Sequence, residues 1–496
     1  MVRNNWRRLI LWHRLSKETG RSCVRFCRLG SRTHDCCDLT LLKFKGDSMP
    51  WAASAHTVRF RRFGSLGSSC RTLALCFILS VAVSWGKAAT AAPAQSQNIE
   101  SKVLFDAMNK RDIQTVDAAK RKLLSAKGVP LPEVPEYPQV WEKVDMQTLL
   151  VSRRKELSRR YLQFLLEQAW WRKSVAAPDI PHALRAVADI VEASLILGDA
   201  YPELKADTLL LARSGGDYIL SCSEEAHFAG APFPYWRNRG GRLGDLSARM
   251  IEQLNSRDRL KACLVNGWLV VPEAATEYYF DTGSVGAALV ELYNRTGDIK
   301  YLAWSRRASD WAHEKPIAAN FNYNSFLALM DSRIYRATGN AIYLQRAADR
   351  TLFGVIAGEV EDGAQAGHWL DSHNERVCYR KIMVKGLMDL SYSLALDRKQ
   401  VVPLNTKARI YKAASSSLSA LEKQISQQGY LTGLSEVYQL NQCALKAGAS
   451  VRAPELPLLR MQERQWGRLV ANGRGLPPVE MALFLKRLDQ IASAPN

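Results

Sequence analysis

One helical hairpin, written twice in succession, constrains this chain more than any other feature. Between Asp281 and Thr351, the residues Tyr293, Thr296, Gly297, Asp298, Tyr301 and Leu302 recur as Tyr335, Thr338, Gly339, Asn340, Tyr343 and Leu344, always 42 positions on. Ahead of each Thr-Gly pair stands an amphipathic run: Val285, Ala288, Leu289 and Leu292, then Phe326, Leu329, Met330 and Ile334. Such spacings place the apolar side chains on one helix face. Gly297 and Gly339 suit the left-handed residue that closes a helix, and Asp298 and Asn340 suit the N-cap of the next. Each copy reads as helix, tight turn, helix. Neither can bury its stripe alone, so the repeat implies neighbours stacked into an all-helical array.

The chain has 496 residues and a formal net charge of +20. Residues 1–91 hold sixteen Lys or Arg against four Asp or Glu, which is +12 of that total and leaves +8 for the rest. This basic leader has the form of an export signal. Arg59, Arg61, Arg62 and Arg71 precede an apolar run from Leu73 to Trp85, and small residues from Ala88 to Ala92 supply an Ala-x-Ala exit at Ala89 to Ala91. The apolar run is short for a bilayer span, so a cleaved signal is preferred over an anchor, and a periplasmic or secreted location follows. Before Met49, Cys23, Cys27, Cys36 and Cys37 lack the paired C-x-x-C spacing of a zinc site, and no sustained period appears. We expect residues 1–48 to be upstream sequence without a folded role, 49–91 to be the signal peptide, and 92–143 to be a linker and arm. The main domain then spans 144–496. After processing, Cys222, Cys263, Cys378 and Cys443 remain, and their pairing is open.

The arm combines a charged helix, Val103 to Ala126, with Pro130, Pro132, Pro135 and Pro138. The domain opens on a helix from Val144 whose Arg153, Arg154, Lys155, Arg159 and Arg160 read as a solvated face, so no nucleic-acid partner is expected. Ala183 to Leu197 is a helix ending at Gly198 with Asp199 as a cap, and Leu204 to Leu220 pairs with it. Three long connections then stand out. Ser223 to Gly244 carries Glu225, Tyr235, Trp236 and Arg237. Asn266 to Phe280 carries Trp268, Glu277, Tyr278 and Tyr279. Gly358 to Arg376 carries His368, Trp369, Asp371, His373, Asn374 and Arg376. Long loops on a helical scaffold are commonly functional. Asp245 to Leu264, Ile382 to Leu396, Lys407 to Ile425 and Val479 to Ile491 read as helices, the last one closing a Pro- and Gly-rich tail. No convincing strand alternation and no nucleotide or dinucleotide motif appears, so no cofactor is expected.

On Phe280-Asp281-Thr282-Gly283, the two hairpin turns, and Trp304 and Trp311 on the returning helix, the chain resembles the (α/α) toroid, six-hairpin superfamily of carbohydrate-active enzymes. The resemblance covers roughly Val144 to Leu440 in architecture and about seventy residues in motif. It implies a ring of hairpins with a sugar cleft built by loops at one end, and a polysaccharide lyase or glycoside hydrolase as the activity. Fold analogy leaves the reaction open.

A sugar cleft needs aromatic faces beside charged and amide groups. Trp236, Arg237, Trp268, Tyr278, Tyr279, Asn322, Tyr323, Asn324 and Trp369 are the candidates, and each aromatic can equally pack a loop. Asp281 stands ready as a catalytic carboxylate or as a helix cap. Hydrolysis would pair it with Asp371, Glu277 or Glu225. The set Asp371, His373, Asn374, Arg376 and Tyr379 favours β-elimination of a uronate chain instead, with Asn and Arg neutralising the carboxylate and His or Tyr moving protons. A polar loop tied by its own hydrogen bonds is the structural reading of the same residues. His368, Asp371 and His373 also offer metal-ligand types, but three polar loop residues are weak grounds and no metal is assigned. The preferred reading is an exported enzyme cleaving an acidic polysaccharide or oligosaccharide by elimination. A hydrolase, or a non-catalytic glycan-binding or envelope scaffold protein, is the alternative, with membrane contact only through the export signal.

Overall fold

A computed structural model describes residues 10–15, 22–27, 37–40, 99–127, 147–172, 182–234, 264–265, 268–270, 276, 278–428, 433–471 and 476–493. The chain divides into two units, Met1–Ala88 and Ala89–Asn496. In the first, β1 (Ile10–Leu15), β2 (Ser22–Cys27) and β3 (Cys37–Thr40) form an antiparallel sheet in that order, with Ile10 opposite Cys27 and Cys23 opposite Thr40. Paired strands therefore stand where no period was legible, because β1 and β2 set apolar residues side by side, Ile10-Leu11-Trp12 and Cys23-Val24, instead of alternating them with polar ones. The apolar stretch 73–85 lies outside the described residues.

Among its described residues the regular structure of the second unit is helical apart from three two-residue strands, β4 (Phe233–Pro234), β5 (Leu264–Val265) and β6 (Trp268–Leu269). The expected charged arm helix is two: α1 (Ile99–Lys110) and α2 (Ile113–Lys127). Arg111 adopts φ 55°, and Asp112 caps the second helix by accepting from Thr115 N at 3.1 Å. Leu104, Met108, Val116 and Leu123 of this hairpin join a core with Val355, Ile356 and Leu344.

The basic opening helix is likewise divided, into α3 (Gln147–Ser152) and α4 (Arg154–Gln168). Then come α5 (Ala183–Ala200), α6 (Lys205–Glu225), α7 (Tyr278–Thr296), α8 (Ile299–His313), α9 (Phe321–Thr338) and α10 (Ala341–Gly354). The chain closes with α11 (Val377–Ala395), α12 (Leu404–Gln428), α13 (Ser435–Lys446), α14 (Leu456–Ala471) and α15 (Pro478–Ser493). α5 packs on α7, α7 on α9, α9 on α11, α11 on α13 and α13 on α15, and α15 packs back on α5. On these lie α6, α8, α10 and α12, each against the helix preceding it, with α3 and α4 against α15.

The six mutually packed helices run in one direction. Arg185, Ser284, Phe326, Lys381, Glu436 and Glu480, from the first half of each, line one cavity, while Asp199, Arg295, Arg336 and Lys486 line another further along.

The twin turns repeat in atomic detail. Gly297 and Gly339 have φ 69° and 65°. Their amides donate to Tyr293 O and Tyr335 O at 2.8 and 2.7 Å. Asp298 Oδ1 and Asn340 Oδ1 accept from Lys300 N and Ile342 N at 3.2 and 3.1 Å. Each Thr hydroxyl donates back to the carbonyl four residues earlier, Thr296 to Leu292 and Thr338 to Ile334.

Three further sequence expectations are corrected. Gly198 does not end α5, which runs on to Ala200 and stops before Pro202, since a residue preceding proline avoids the helical region. A Cβ at Gly198 would lie 2.3 Å from Thr208 Oγ1, so this glycine allows α5 and α6 to approach. Glu224 and Glu225 belong to α6 rather than to a loop. The tail holds α14, with Leu458 and Trp466 buried, ahead of α15. The helix expected at Asp245 to Leu264 falls almost wholly outside the described residues. No helix among the described residues is long and apolar enough to cross a membrane.

Candidate functional site

Toward the N-terminal ends of the six parallel helices, residues from the first half of each line a cavity of about 320 Å³ on the axis of the packing. Helix N-termini carry unsatisfied amides and the positive end of the macrodipole, so this end favours negative charge. Arg185 of α5 and Lys381 and Lys385 of α11 add cations to the wall, and Asp189, Glu192, Glu436 and Glu480 add acids. Burial pushes the Asp189 carboxyl upward against the pull of Arg185. Glu436 is also raised by burial, which outweighs its pairing with Lys385. Burial would raise Glu192 as well, but Arg333, 2.9 Å away, and Lys385 overcome it and hold the group down at about 2.

On the rim, α7 presents Asp281, 1 % exposed, whose Oδ1 lies 2.9 Å from Nδ1 of His182. The His182 ring sits edge-on to Phe233 and Phe280, 5.6 and 5.2 Å between centroids. Arg185 lies over the opposite aromatic neighbour, 4.0 Å from the Phe280 centroid, and Tyr323 is 6.1 Å from the same ring. His182 and Arg185 were not singled out in the sequence. Their signal is their place at the first turn of a helix whose mate, α7, also opens on a polar and aromatic rim.

The third loop folds as an internally bonded unit leading into α11. Asp371 accepts from Asn374 N at 2.8 Å and from Asn374 Nδ2, and burial raises its carboxyl against those bonds. Asn322 Nδ2 donates to Asn374 Oδ1 and to Asn320 Oδ1, both at 2.8 Å. Asp371, Asn374 and Asn322, expected from two separate stretches, are thus brought together. Beside them Arg376 Nη2 donates to His373 Nδ1 at 2.8 Å, the His373 and Tyr379 rings stack at 4.2 Å, and the Arg376 guanidinium lies 4.4 Å from the Tyr379 centroid. Because Arg376 can only donate, Nδ1 is the acceptor, and a neutral His373 carries its proton on Nε2. A cavity of about 450 Å³ borders Asp371, His373 and Asn374 on one side and Leu104, Phe105 and Leu123 of the arm on the other.

Several expected binding residues are packing residues. Trp369 is fully buried with its indole NH toward Val355 O, and Glu375 ties its backbone. Tyr279 is buried and donates to Pro316 O at 2.6 Å. Tyr278 is buried and stacks on Phe233 at 4.3 Å, and Trp268 is buried in β6 opposite Pro234 and Val265. Asn324 is buried as a strap, accepting from Ala318 N and donating to Ala318 O and Gly354 O. In each case the large apolar or amide surface has been spent on the interior, which leaves no face for a sugar. Tyr323 stays half-buried at the rim. Trp236, Arg237 and Glu277 lie outside the described residues, and Glu225 is exposed at the end of α6.

His368 faces Glu375 and Arg380, away from the His373 contacts. Among the described residues no group of three His, Cys, Asp or Glu is placed to hold a metal ion. Cys222 and Cys443 are free thiols, Cys378 is exposed in the first turn of α11, and Cys263 lies outside the described residues. Comparison of the chain with family models, curated proteins and solved structures gave no match.

Proposed function

We propose that the chain is an exported enzyme with an (α/α)-toroid body that cleaves an acidic, uronate-containing polysaccharide by β-elimination. The cyclic packing of six parallel helices, each with an outer neighbour, supports the toroid. The observation that carries the chemistry is the stack of Arg376, His373 and Tyr379 at the start of α11, of which His373 borders the cavity of about 450 Å³ walled by the arm. Elimination removes the proton next to the uronate carboxylate, forms a carbon–carbon double bond, and expels the neighbouring glycosidic oxygen, which needs a proton. In this reading the His373 Nε2–H neutralises the carboxylate as charge moves onto it, while Asn374, bonded to Asp371 and Asn322, holds the loop in place. Tyr379, ionised as a phenolate that the neighbouring Arg376 guanidinium stabilises, takes the carbon-bound proton and, now a neutral phenol, gives it to the leaving oxygen. Hydrolysis has one observation in its favour, the buried Asp281 held by His182.

The test is incubation of the protein with uronate and neutral glycans. Ultraviolet-absorbing unsaturated ends are expected from uronate chains alone, with Tyr379→Phe slowing their formation about 10²–10⁴-fold and His373→Ala also impairing it. Reducing ends without absorbance would replace elimination by hydrolysis. No cleavage of any glycan would leave the non-catalytic glycan-binding alternative.

A further inference from the structure

The axial cavity contains a feature that the elimination stack does not use. Glu480, in the first turn of α15, is 5 % exposed, and its Oε1 accepts from Lys381 Nζ at 2.9 Å. Its Oε2 is buried with no hydrogen-bond partner among the described residues, and the side chain lines the cavity. A buried carboxylate oxygen without a donor costs stability that a bound hydroxyl would recover. Across the same space stand Arg185 and the apolar face of Phe326. The cavity is also blind. Glu192 and Glu436 line both it and the 130 Å³ cavity further along the axis, and Arg333, 5 % exposed and 2.9 Å from Glu192, lies on the far side. A polymer cannot pass through such a partition of paired charges.

We propose that this cavity is an end-on subsite for one terminal sugar acid, with the carboxylate on Arg185 and Lys381, a ring hydroxyl donating to Glu480 Oε2, and the sugar's C–H face on Phe326. The site therefore holds a chain end. At about 320 Å³ it lies at the small end of ligand pockets, the scale of one or two pyranose rings. The inference deepens the elimination reading by making cleavage start from a terminus, and it rests on that reading only for the cleavage, not for the binding.

Full-length protein is titrated calorimetrically with glucuronate, galacturonate and methyl glucoside, and the alkylation of Cys378, an exposed thiol on the cavity wall, is timed with and without each sugar. One sugar acid per chain should bind and slow alkylation, with methyl glucoside inert. Glu480→Gln and Arg185→Met should each weaken binding about tenfold or more. Cys378→Trp, which narrows the entrance and removes no buried charge, should abolish binding with the thermal transition unchanged. Equal binding of neutral and acidic sugars, no binding at all, or unaltered affinity in folded Cys378→Trp would overturn the subsite. Size analysis of oligouronate digests separates the two ideas. Products shortened one unit at a time from an end support the subsite, whereas an internal ladder of fragments overturns end-on entry and leaves elimination standing. Sugar-acid binding without any cleavage upholds the subsite and removes the elimination reading.

Discussion

Glu359 shows how one side chain ties stability to pH. It is fully buried, Ser417 Oγ donates to its Oε1 at 2.7 Å, and Oε2 has no partner among the described residues. Burial raises its carboxyl from the ordinary 4.5 to about 8, against the opposing effects of Ser417 and Lys120. Asp331, also buried, is raised by burial from 3.8 to about 7. A carboxyl raised in the folded state binds a proton there that the unfolded chain has already lost. Its contribution is therefore complete below the unfolded value and is lost as pH rises toward the folded one. Between pH 4.5 and about 8, folding stability should fall because of Glu359, by at most about 1.4 kcal/mol per pH unit for one proton. Glu359→Gln should flatten that decline, with denaturant midpoints at pH 5 and pH 8 drawing together. A Glu359→Gln protein whose midpoints separate as widely as the parent's would show that this carboxyl does not titrate in the window. In the sequence Glu359 is one of several acids in a polar loop. Its burial is created by contacts with Ser417, 58 residues away, and no local pattern encodes them.

At the scale of elements, local chemistry was legible and helix contact was not. The twin turns could be read because every partner lies within four residues: a glycine at positive φ, a capping oxygen, and a threonine bonded to its own last turn. Gly198 was misread because glycine followed by aspartate has the form of a helix end, whereas its use is the close approach of Thr208. Gly283 on α7 and Gly297 at its end separate these two uses on one helix. A Cβ on Gly283 would meet the Phe326 backbone carbon and oxygen of α9 at 2.4 and 2.5 Å, while nothing lies within 4 Å of a Cβ on Gly297. Gly297→Ala should thus cost about 1 kcal/mol, the price of a left-handed residue with a side chain. Gly283→Ala should cost more, in the range of about 1–3 kcal/mol or above, because backbone must move to admit it. Chemical denaturation of both variants measures the order. Equal losses would mean that α7 and α9 give way more easily than their spacing indicates.

Across the whole molecule, what the sequence hid was the axis and the docking of the arm. Asp189, Glu192, Arg333, Lys385, Asp389 and Glu436 each look like members of a solvated helix face, and their meeting on one axis depends on helices far apart in the chain. The arm reads as a linker because its charged helix runs into Pro130, Pro132, Pro135 and Pro138, yet it is docked. Lys120, 5 % exposed, donates to Ile356 O at 3.2 Å and pairs with Glu361, while Arg409 joins Glu361 to Asp117 of α2 at 2.6 Å. Lys120→Met keeps an unbranched side chain one atom shorter and removes its charge, leaving Ile356 O without that donor and Glu361 held by Arg409 alone. Breaking a buried pair from one side costs on the order of 3–5 kcal/mol when the remaining charge is stranded. Here Arg409 keeps Glu361 compensated, so the loss should fall below that range and be confined to the docking. Hydrogen exchange should rise across residues 99–127 in Lys120→Met, with α7 and α9 protected as before. The arm also walls the cavity beside His373 through Leu104, Phe105 and Leu123. If that wall positions substrate, the same variant should lower turnover of uronate chains at unchanged thermal stability of the ring. Exchange that rises equally in the arm and in α7 would show that arm and ring unfold together, and that Lys120 supports the whole unit rather than a seam within it.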